Sequence, residues 1–335
     1  MIDSFRALHD LAATIPEMRL MVYELIGLLT AYDTTAFLVG EYNDDDPRAL
    51  PEFALADGIV QFLRNMLTNR DERYLRVLKL RGSPYLEGLH AFQVSERGLR
   101  IFPRLVTPLV PTDYTLLAER VTTGVVGLDR MLDGGYWRGS TTLLVGPTGS
   151  GKTTIGLQFA IEGMRLGQPS LYVNLQENPA QIARNVLALG EDPATLTERG
   201  LHMLYESPVE LRIDSLIIRI FRALEGNDLQ RVVIDSVGDI DGAASDPQRL
   251  RDYLYSLKQY FAVKRTTCVL TLETARHEAS EGIRYGYLAD NILQLTVDPT
   301  LDPPRTIAVL KARASGHDLA PRPFRLGPTG AAIGT

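Results

Sequence analysis

The 335-residue sequence holds one cysteine, Cys268, set inside an apolar run. A single thiol rules out internal disulfides and any cysteine-rich zinc site, and it suits a reducing cytoplasm. Long apolar runs are missing too: none approaches the roughly 18 residues of a membrane-spanning helix. The first residues, Met1-Ile2-Asp3-Ser4-Phe5-Arg6, lack the basic start and apolar core of a secretory leader. There is no excess of positive charge. Lys and Arg number 35 against 41 Asp and Glu, a formal net charge of −6, so only a local basic groove would attract nucleic acid or anionic lipid. The expectation is a cytoplasmic protein with no membrane association, for which nucleic acid is not the expected partner. The remaining composition, 45% hydrophobic and 23% charged, fits globular domains with sizeable cores, and the length suggests two domains or one large one.

Against that background one motif is complete. Gly146-Pro-Thr-Gly-Ser-Gly-Lys-Thr153 reads G-x-x-x-x-G-K-[ST], the phosphate loop of nucleotide-binding proteins. A strand-like run, Thr141–Val145, precedes it. A helix-like run with Ile155, Leu157, Phe159, Ala160, Ile161 and Met164 follows. In this context glycines let backbone N–H groups close around phosphate oxygens, and the helix start adds partial positive charge. Lys152 is expected to reach the β- and γ-phosphates, and Thr153 to ligate Mg²⁺. Gly146, Thr148, Gly149, Ser150, Gly151, Lys152, Thr153 and Thr154 are thus the candidate ATP-binding residues.

The chain also repeats part of itself. Ile2-Asp3-Ser4 returns as Ile234-Asp235-Ser236, an offset of 232 residues (235 − 3). Glu41 and Glu273, Lys79-x-Arg81 and Lys311-x-Arg313, and Phe92 and Phe324 repeat at the same offset, with a one-residue slip between Leu55-Ala56-Asp57 and Leu288-Ala289-Asp290. Spacing this long marks duplicated domains rather than a solenoid. Residues 1–103 therefore read as the C-terminal half of a first domain, 104–120 with Pro108 and Pro111 as a linker, and 121–335 as a complete second domain. A half-domain without its first strands would expose a sheet edge and an apolar face. The expectation is a piece of a longer protein with another P-loop half upstream, or else a half-domain completed by a partner.

Strand and helix patterns alternate after the linker. Ser170–Leu175, Val232–Ile234, Thr267–Leu272, Asn291–Val297 and Thr306–Leu310 are strand-like. Asn178-Pro179 and Asp246-Pro247 start helices, the first ending at Gly190. The alternation predicts an α/β fold, a mainly parallel sheet flanked by helices, with ligand at the carboxyl ends of the strands.

Three further groups of residues sit at strand ends. Asp235 suits the second acidic element of P-loop enzymes, holding Mg²⁺ directly or through water. Glu177 is the candidate to orient or deprotonate attacking water; the alternative is a surface residue that merely leads into the next helix. Lys311 and Arg313 form either a solvated strand edge or a pair of cations reaching a nucleotide in a neighbouring subunit, as an arginine finger does.

Together, Thr123-Gly-Val-Val-Gly-Leu-Asp129, Gly134-Gly135, the P-loop, Gln176-Glu177-Asn178-Pro179 and Ile234-Asp235-Ser236 resemble the circadian-clock ATPase KaiC and its wider family. The resemblance covers essentially the whole chain. It implies a RecA-like P-loop NTPase fold, tandem KaiC domains of which the first is incomplete, and a homo-hexameric ring with ATP and Mg²⁺ between subunits. Lys311-x-Arg313 and Lys79-x-Arg81 match that family's Lys-x-Arg element, which contacts ATP bound to the adjacent subunit. Two departures stand out. Gln176-Glu177 replaces a pair of glutamates, which implies slow hydrolysis. Gly286-Tyr287 stands where the clock protein carries adjacent serine and threonine phosphorylation sites. The reading is a KaiC-like ATPase whose nucleotide state controls a signalling protein partner. The alternatives are a serine/threonine autokinase of the KaiC type and a RecA-like DNA-repair ATPase. The bacterial repair relative of this fold carries a four-cysteine zinc ribbon, which one cysteine cannot supply.

Overall fold

The computed structural model describes residues 1–12, 14–42, 50–66, 71–109, 118–244, 246–274 and 285–334. The chain forms two compact units, Met1–Arg104 and Leu105–Thr335. Residues 110–117, within the stretch expected to be a linker, lie outside the described residues. Arg104, which opens that stretch, belongs to the first unit, and from Leu105 the stretch belongs to the second: Leu105 packs on its core, and Thr107 Oγ1 lies 2.9 Å from Ser256 Oγ.

The first unit contains β1 (Ile2–Asp3), a 3-10 helix (Phe5–Leu11), α1 (Ile15–Ala31), β2 (Leu38–Val39), α2 (Pro51–Leu55), β3 (Gly58–Met66), β4 (Asp71–Leu80), β5 (His90–Ser95) and β6 (Gly98–Phe102). Thr14 caps α1 by accepting from Glu17 N, and Phe5, Met18 and Val22 form a small core beneath the helix. The strands fall into two separate sheets, β1-β2 and β3-β4-β5-β6, with no described strand between β2 and β3.

The second unit is built from β7 (Arg120–Val121), α3 (Val126–Met131), β8 (Tyr136–Trp137), β9 (Thr141–Gly146), α4 (Lys152–Arg165), β10 (Ser170–Asn174), α5 (Pro179–Ala188), α6 (Pro193–Glu198), β11 (Leu201–Tyr205), α7 (Ile213–Asn227), β12 (Arg231–Asp235), α8 (Val237–Ala243), α9 (Pro247–Lys264), β13 (Thr267–Glu273), β14 (Asn291–Val297), β15 (Arg305–Ala312), β16 (Arg322–Gly327) and β17 (Gly330–Ile333). Nine of these strands form one sheet in the order β11-β10-β12-β13-β9-β14-β15-β16-β17. From β11 to β14 every pairing is parallel; β15, β16 and β17 continue it antiparallel. The fold is the mixed α/β architecture of a RecA-like P-loop protein.

Continuous apolar strands arise here because both faces of the sheet are covered. Alternation along each strand feeds two cores. Val232 and Ile234 of β12, Leu143 and Val145 of β9, and Leu171 and Val173 of β10 face the core shared with α7, α8 and α9. Val233, Leu144 and Tyr172 face the core shared with α3 to α6. The apolar stripe of α9, Leu250, Tyr253, Leu254, Leu257 and Phe261, fills the first of these. Helix α4 is the central piece of the second, burying Ile155, Leu157, Phe159, Ala160, Ile161 and Met164.

The two units share a register. Ile2 pairs with Leu38 as Ile234 pairs with Leu270. The irregularity in pairing at Ile59/Val60 recurs at Ile292/Leu293. In the second unit β9 lies between β13 and β14, and Leu144 of β9 and Phe159 of α4 share a core with Leu293 and Leu295. The equivalent residues of the first unit, Val60 and Phe62, are 51% and 54% exposed, against 0% and 1% for Leu293 and Leu295. The cause is local: among its described residues, the first unit has no counterpart of β9 and α4.

Close packing of α4 on the sheet depends on one glycine. A Cβ at Gly163 would come within 2.5 Å of Ser170 Oγ and 2.7 Å of Arg231 Cδ. Arg231 is fully buried, stacks on Phe159 at 4.7 Å, and donates from Nη1 to Thr122 O and Phe159 O and from Nε to Gln168 Oε1, so it has no room to retreat. Gly163→Ala is expected to destabilise by about 1–3 kcal/mol through overpacking, despite alanine's helix preference of about 1 kcal/mol. Gly226 in α7 has open space around it, and Gly226→Ala is expected to be neutral or stabilising by up to about 1 kcal/mol. Urea unfolding of the two variants checks the contrast; equal shifts would contradict it.

Candidate functional site

The site is assembled where the carboxyl ends of β9, β10, β12 and β13 meet the start of α4. Strand β9 runs buried from Thr141 to Gly146, and the loop then closes on itself through Ser150 N to Pro147 O at 3.2 Å. Gly151 takes φ of 103° as it enters α4, and a Cβ there would meet Leu326 Cδ1 at 3.2 Å. Left-handed backbone and close approach both call for glycine. Thr148 and Gly149 are exposed at the rim, Ser150 is buried, and Thr154 lies half-buried in the first turn of α4.

Lys152 is 8% exposed, and its Nζ donates to Gly146 O at 2.8 Å and Pro147 O at 2.9 Å. Burial lowers its pKa, while the carboxylates of Glu273 and Asp235 act in the opposite direction. Thr153 Oγ1 donates to Asp235 Oδ2 at 2.8 Å. The same Oδ2 accepts from the phenol of Tyr172 at 2.8 Å, and Oδ1 accepts from Thr271 Oγ1. Asp235 is 7% exposed. The site thus gathers a buried ammonium and a hydroxyl from the loop and the start of α4, and a carboxylate from the end of β12.

Glu177 sits three residues beyond β10. Asn174 holds it there: its Oδ1 accepts from Gln176 N and Glu177 N, both at 3.2 Å, and its Nδ2 donates to Glu177 O. Asn178 and Gln181 form a capping box that starts α5. Asn185 Nδ2 donates to Glu177 Oε2 at 2.7 Å. Burial, then the nearby Asp235 charge, raise the Glu177 pKa above the usual carboxylate range, and the Asn185 hydrogen bond opposes them. Gln176 is exposed, its Nε2 donating to Asp239 Oδ1 at 3.2 Å.

Lys311 and Arg313 stand apart from this cluster within the chain. Lys311 Nζ donates to Gly286 O and Ala289 O, both at 2.8 Å. Burial and the charges of Arg313 and Lys258 lower its pKa. Simple alternation does not extend to Arg313, which follows β15 in a turn. Its side chain is 57% exposed, with Nη1 3.6 Å from Asp290 Oδ1. The spacing alone treats the two cations as equivalent; in the fold one is anchored on a turn and the other is presented at the surface.

Sequence reasoning passed over four residues. Tyr172 and Thr271 bind Asp235. Glu273 accepts from Thr148 Oγ1 because β13 pairs with β9, with Glu273 opposite Gly146. Arg305 Nε donates to Gly149 O at 3.0 Å. Glu273 left a signal, a carboxylate ending a strand-like run; the other three left none without the strand order.

The donor set fits a nucleotide with a divalent cation. Ser150 Oγ is buried without a partner, Gly149 is open to solvent, and Lys152 lies beneath the loop. Thr153 and Asp235 offer hard oxygen donors. Magnesium bound with phosphates takes few protein ligands and keeps waters, so two such residues suffice.

The chain matches the family described as "ATPase: KaiC" over residues 1–106 and 121–335, and it belongs to that family. It is 28% identical over 342 residues to the "Circadian clock oscillator protein KaiC" of a Picosynechococcus species, covering 99% of this chain and 65% of the relative. It is 26% identical to the "Circadian clock oscillator protein KaiC 1" of a Synechocystis species, covering 98% of this chain and 64% of the relative. It is 25% identical to the "Circadian clock protein KaiC2" of the same genus, covering 98% of this chain and 59% of that protein. The chain therefore spans less than two thirds of the length of these relatives.

Lys152→Ala is expected to weaken ATP binding by about 2–4 kcal/mol, the scale of charge-assisted contacts to phosphate. Titration calorimetry with Mg²⁺ present measures it; equal affinities for wild type and variant would remove the P-loop from the account.

Proposed function

We propose, with membership of the KaiC ATPase family as the premise, that this chain binds ATP with magnesium at the P-loop and slowly hydrolyses it between the subunits of a cytoplasmic ring. Nucleotide state would then regulate a protein partner in signalling. The observation that carries the reading is the meeting of Lys152 and Thr153 of the loop with Asp235, whose charge also acts on Glu177. Lys152 would exchange its loop carbonyls for phosphate oxygens. Thr153 and Asp235 would hold magnesium, which when bound supplies neutralisation of phosphate charge. Glu177 is placed to take a proton from water: it is a carboxylate, it is oriented by Asn174 and Asn185, and its raised pKa favours holding that proton. Gln176 cannot serve as a base, and its amide is turned to Asp239. One base in place of two glutamates supports slow turnover.

Arg313, presented beside Asp290, is the group we assign to the nucleotide of a neighbouring subunit, with Lys311 shaping the turn below it. The same arrangement occurs in the first unit, which supports a built feature rather than a chance surface pair. There Lys79 Nζ donates to Ala54 O at 2.8 Å, and Arg81 Nη1 lies 3.1 Å from Asp57 Oδ1. This recurrence, with the shared strand register, supports reading the first unit as the later strands of a second KaiC-type domain. Six subunits is the number the family resemblance implies.

Two experiments test the reading. Glu177→Gln is expected to leave ATP binding intact and to lower turnover by about 10²-fold or more, the range for a positioned base. Loss of turnover in Gln176→Ala with Glu177→Gln unaffected would overturn the assignment. In the second, Arg313→Ala and Lys152→Ala chains are mixed. Mixed interfaces pair an intact loop with an intact arginine, so ATPase activity should reappear; activity that stays at the level of the separate variants would reject action across subunits.

A further inference from the structure

Three cations, Lys258, Lys311 and Arg313, gather around one carboxylate, Asp290. Lys311 is taken up by the Gly286 and Ala289 carbonyls. The other two approach the same oxygen of Asp290. Lys258 Nζ, from α9, donates to Oδ1 at 3.0 Å, whereas Arg313 Nη1 stands 3.6 Å from it, beyond hydrogen-bond reach. Oδ2 is engaged elsewhere, accepting from Thr141 N at 3.0 Å. The lysine therefore holds the carboxylate, and the arginine is only loosely attached.

The first unit supplies a comparison without the lysine. The 232-residue offset carries Ile15, the start of α1, onto Pro247, the start of α9 (247 − 15). Buried Met18 and Val22 then match buried Leu250 and Leu254, and Lys258 falls on Ile26. Here the arginine does bond its own aspartate: Arg81 Nη1 donates to Asp57 Oδ1 at 3.1 Å, and Nη2 to Ala54 O at 3.3 Å. Exposure does not explain the contrast. Arg81 and Arg313 are 58% and 57% exposed, and Asp290, at 23% against 83% for Asp57, is the less screened carboxylate. Burial alone would tighten the Arg313 contact; it is the looser one.

From this we infer that Lys258 is a positioning residue for Arg313: it occupies Asp290, so that the guanidinium is released toward the nucleotide of a neighbouring subunit instead of being retained by its own chain. This rests on the assignment of Arg313 in the proposed function and adds what governs its release. An arginine reaching for phosphate must first leave its carboxylate. A compact ammonium already on Oδ1 offsets that charge and keeps the planar fork of donors on Arg313 free for phosphate oxygens. The two Lys-x-Arg elements are then unequal, with Arg313 poised and Arg81 held.

The test places every change on a chain that can contribute only the arginine. A Lys152→Ala chain is mixed with an Arg313→Ala chain, and ATPase activity is measured with Mg²⁺. Lys258→Met, added to the Lys152→Ala chain, is expected to lower the mixed activity about threefold to fivefold, the weight of one partly exposed ion pair. Lys258→Arg on the same chain, which keeps a cation on Asp290, should stay at the parental level. So should Lys258→Met combined with Asp290→Asn, because the amide oxygen can still accept from Thr141 N but no longer retains an arginine by charge. No loss with Lys258→Met, an equal loss with Lys258→Arg, or a loss that Asp290→Asn does not relieve would make Lys258 a structural residue of α9 and overturn the inference. A parental mixture without activity would instead reject action of Arg313 across subunits, and the inference with it.

Discussion

The hydrogen bond from Thr153 to Asp235 is the contact on which the site depends, because it ties the start of α4 to the end of β12 across an intervening strand. In the sheet order β10-β12-β13-β9, the loop leaves β9 two strands away from Asp235. Thr153, in the first turn of α4, crosses back over β13 to reach it. Tyr172 from β10 and Thr271 from β13 reach the same carboxylate. Four elements are therefore held to one buried group, and hydrogen bonds to a charged acceptor are worth about 1.5–3 kcal/mol each. Loss of the carboxylate would loosen the loop, the helix and both neighbouring strands together.

The same economy explains where charge is buried. Lys152 is inside the loop and donates to two backbone carbonyls; Arg231, at the opposite end of β12, donates to two backbone carbonyls and to Gln168 Oε1, while its Nη2 is buried with no partner among the described residues. Burial pulls the Arg231 pKa down to about 10, still far above neutral, so the guanidinium stays charged and fixes α4 and the Thr122 backbone to the sheet. Lys152 differs in that its carbonyl partners belong to the loop itself. On the proposed reading an arriving phosphate would replace them, whereas the partners of Arg231 belong to the frame.

How much of this was legible in the sequence follows from how local each feature is. The strand–loop–helix around Gly146–Thr153 is a contiguous pattern, and the caps at Asn178 and Asp246 are set by neighbours within three residues. Such features are written in order along the chain. The 232-residue offset was legible too, because repeated strands keep their register residues, as the pairs Ile2–Leu38 and Ile234–Leu270 show. The contacts of Tyr172, Thr271, Glu273 and Arg305 were not, since each depends on which strands become neighbours, a long-range outcome. Tyr172 in particular looked like one more apolar residue in a buried run. Lys311 was opaque for another reason: a Lys-x-Arg spacing carries no information about the turn whose carbonyls capture the ammonium. Asp290 accepts Thr141 N and pairs with Lys258 as well as Arg313, a hub that only the fold brings together.

The central claim of the proposed function is that these 335 residues build one nucleotide site, around Lys152 and Asp235 in the second unit; residues 1–104 contain the Lys-x-Arg element and no P-loop sequence. The most direct measurement is the number of ATP molecules bound at saturation by the 335-residue chain, by equilibrium dialysis with Mg²⁺. The account expects one. No bound ATP, or two molecules per chain, would contradict it.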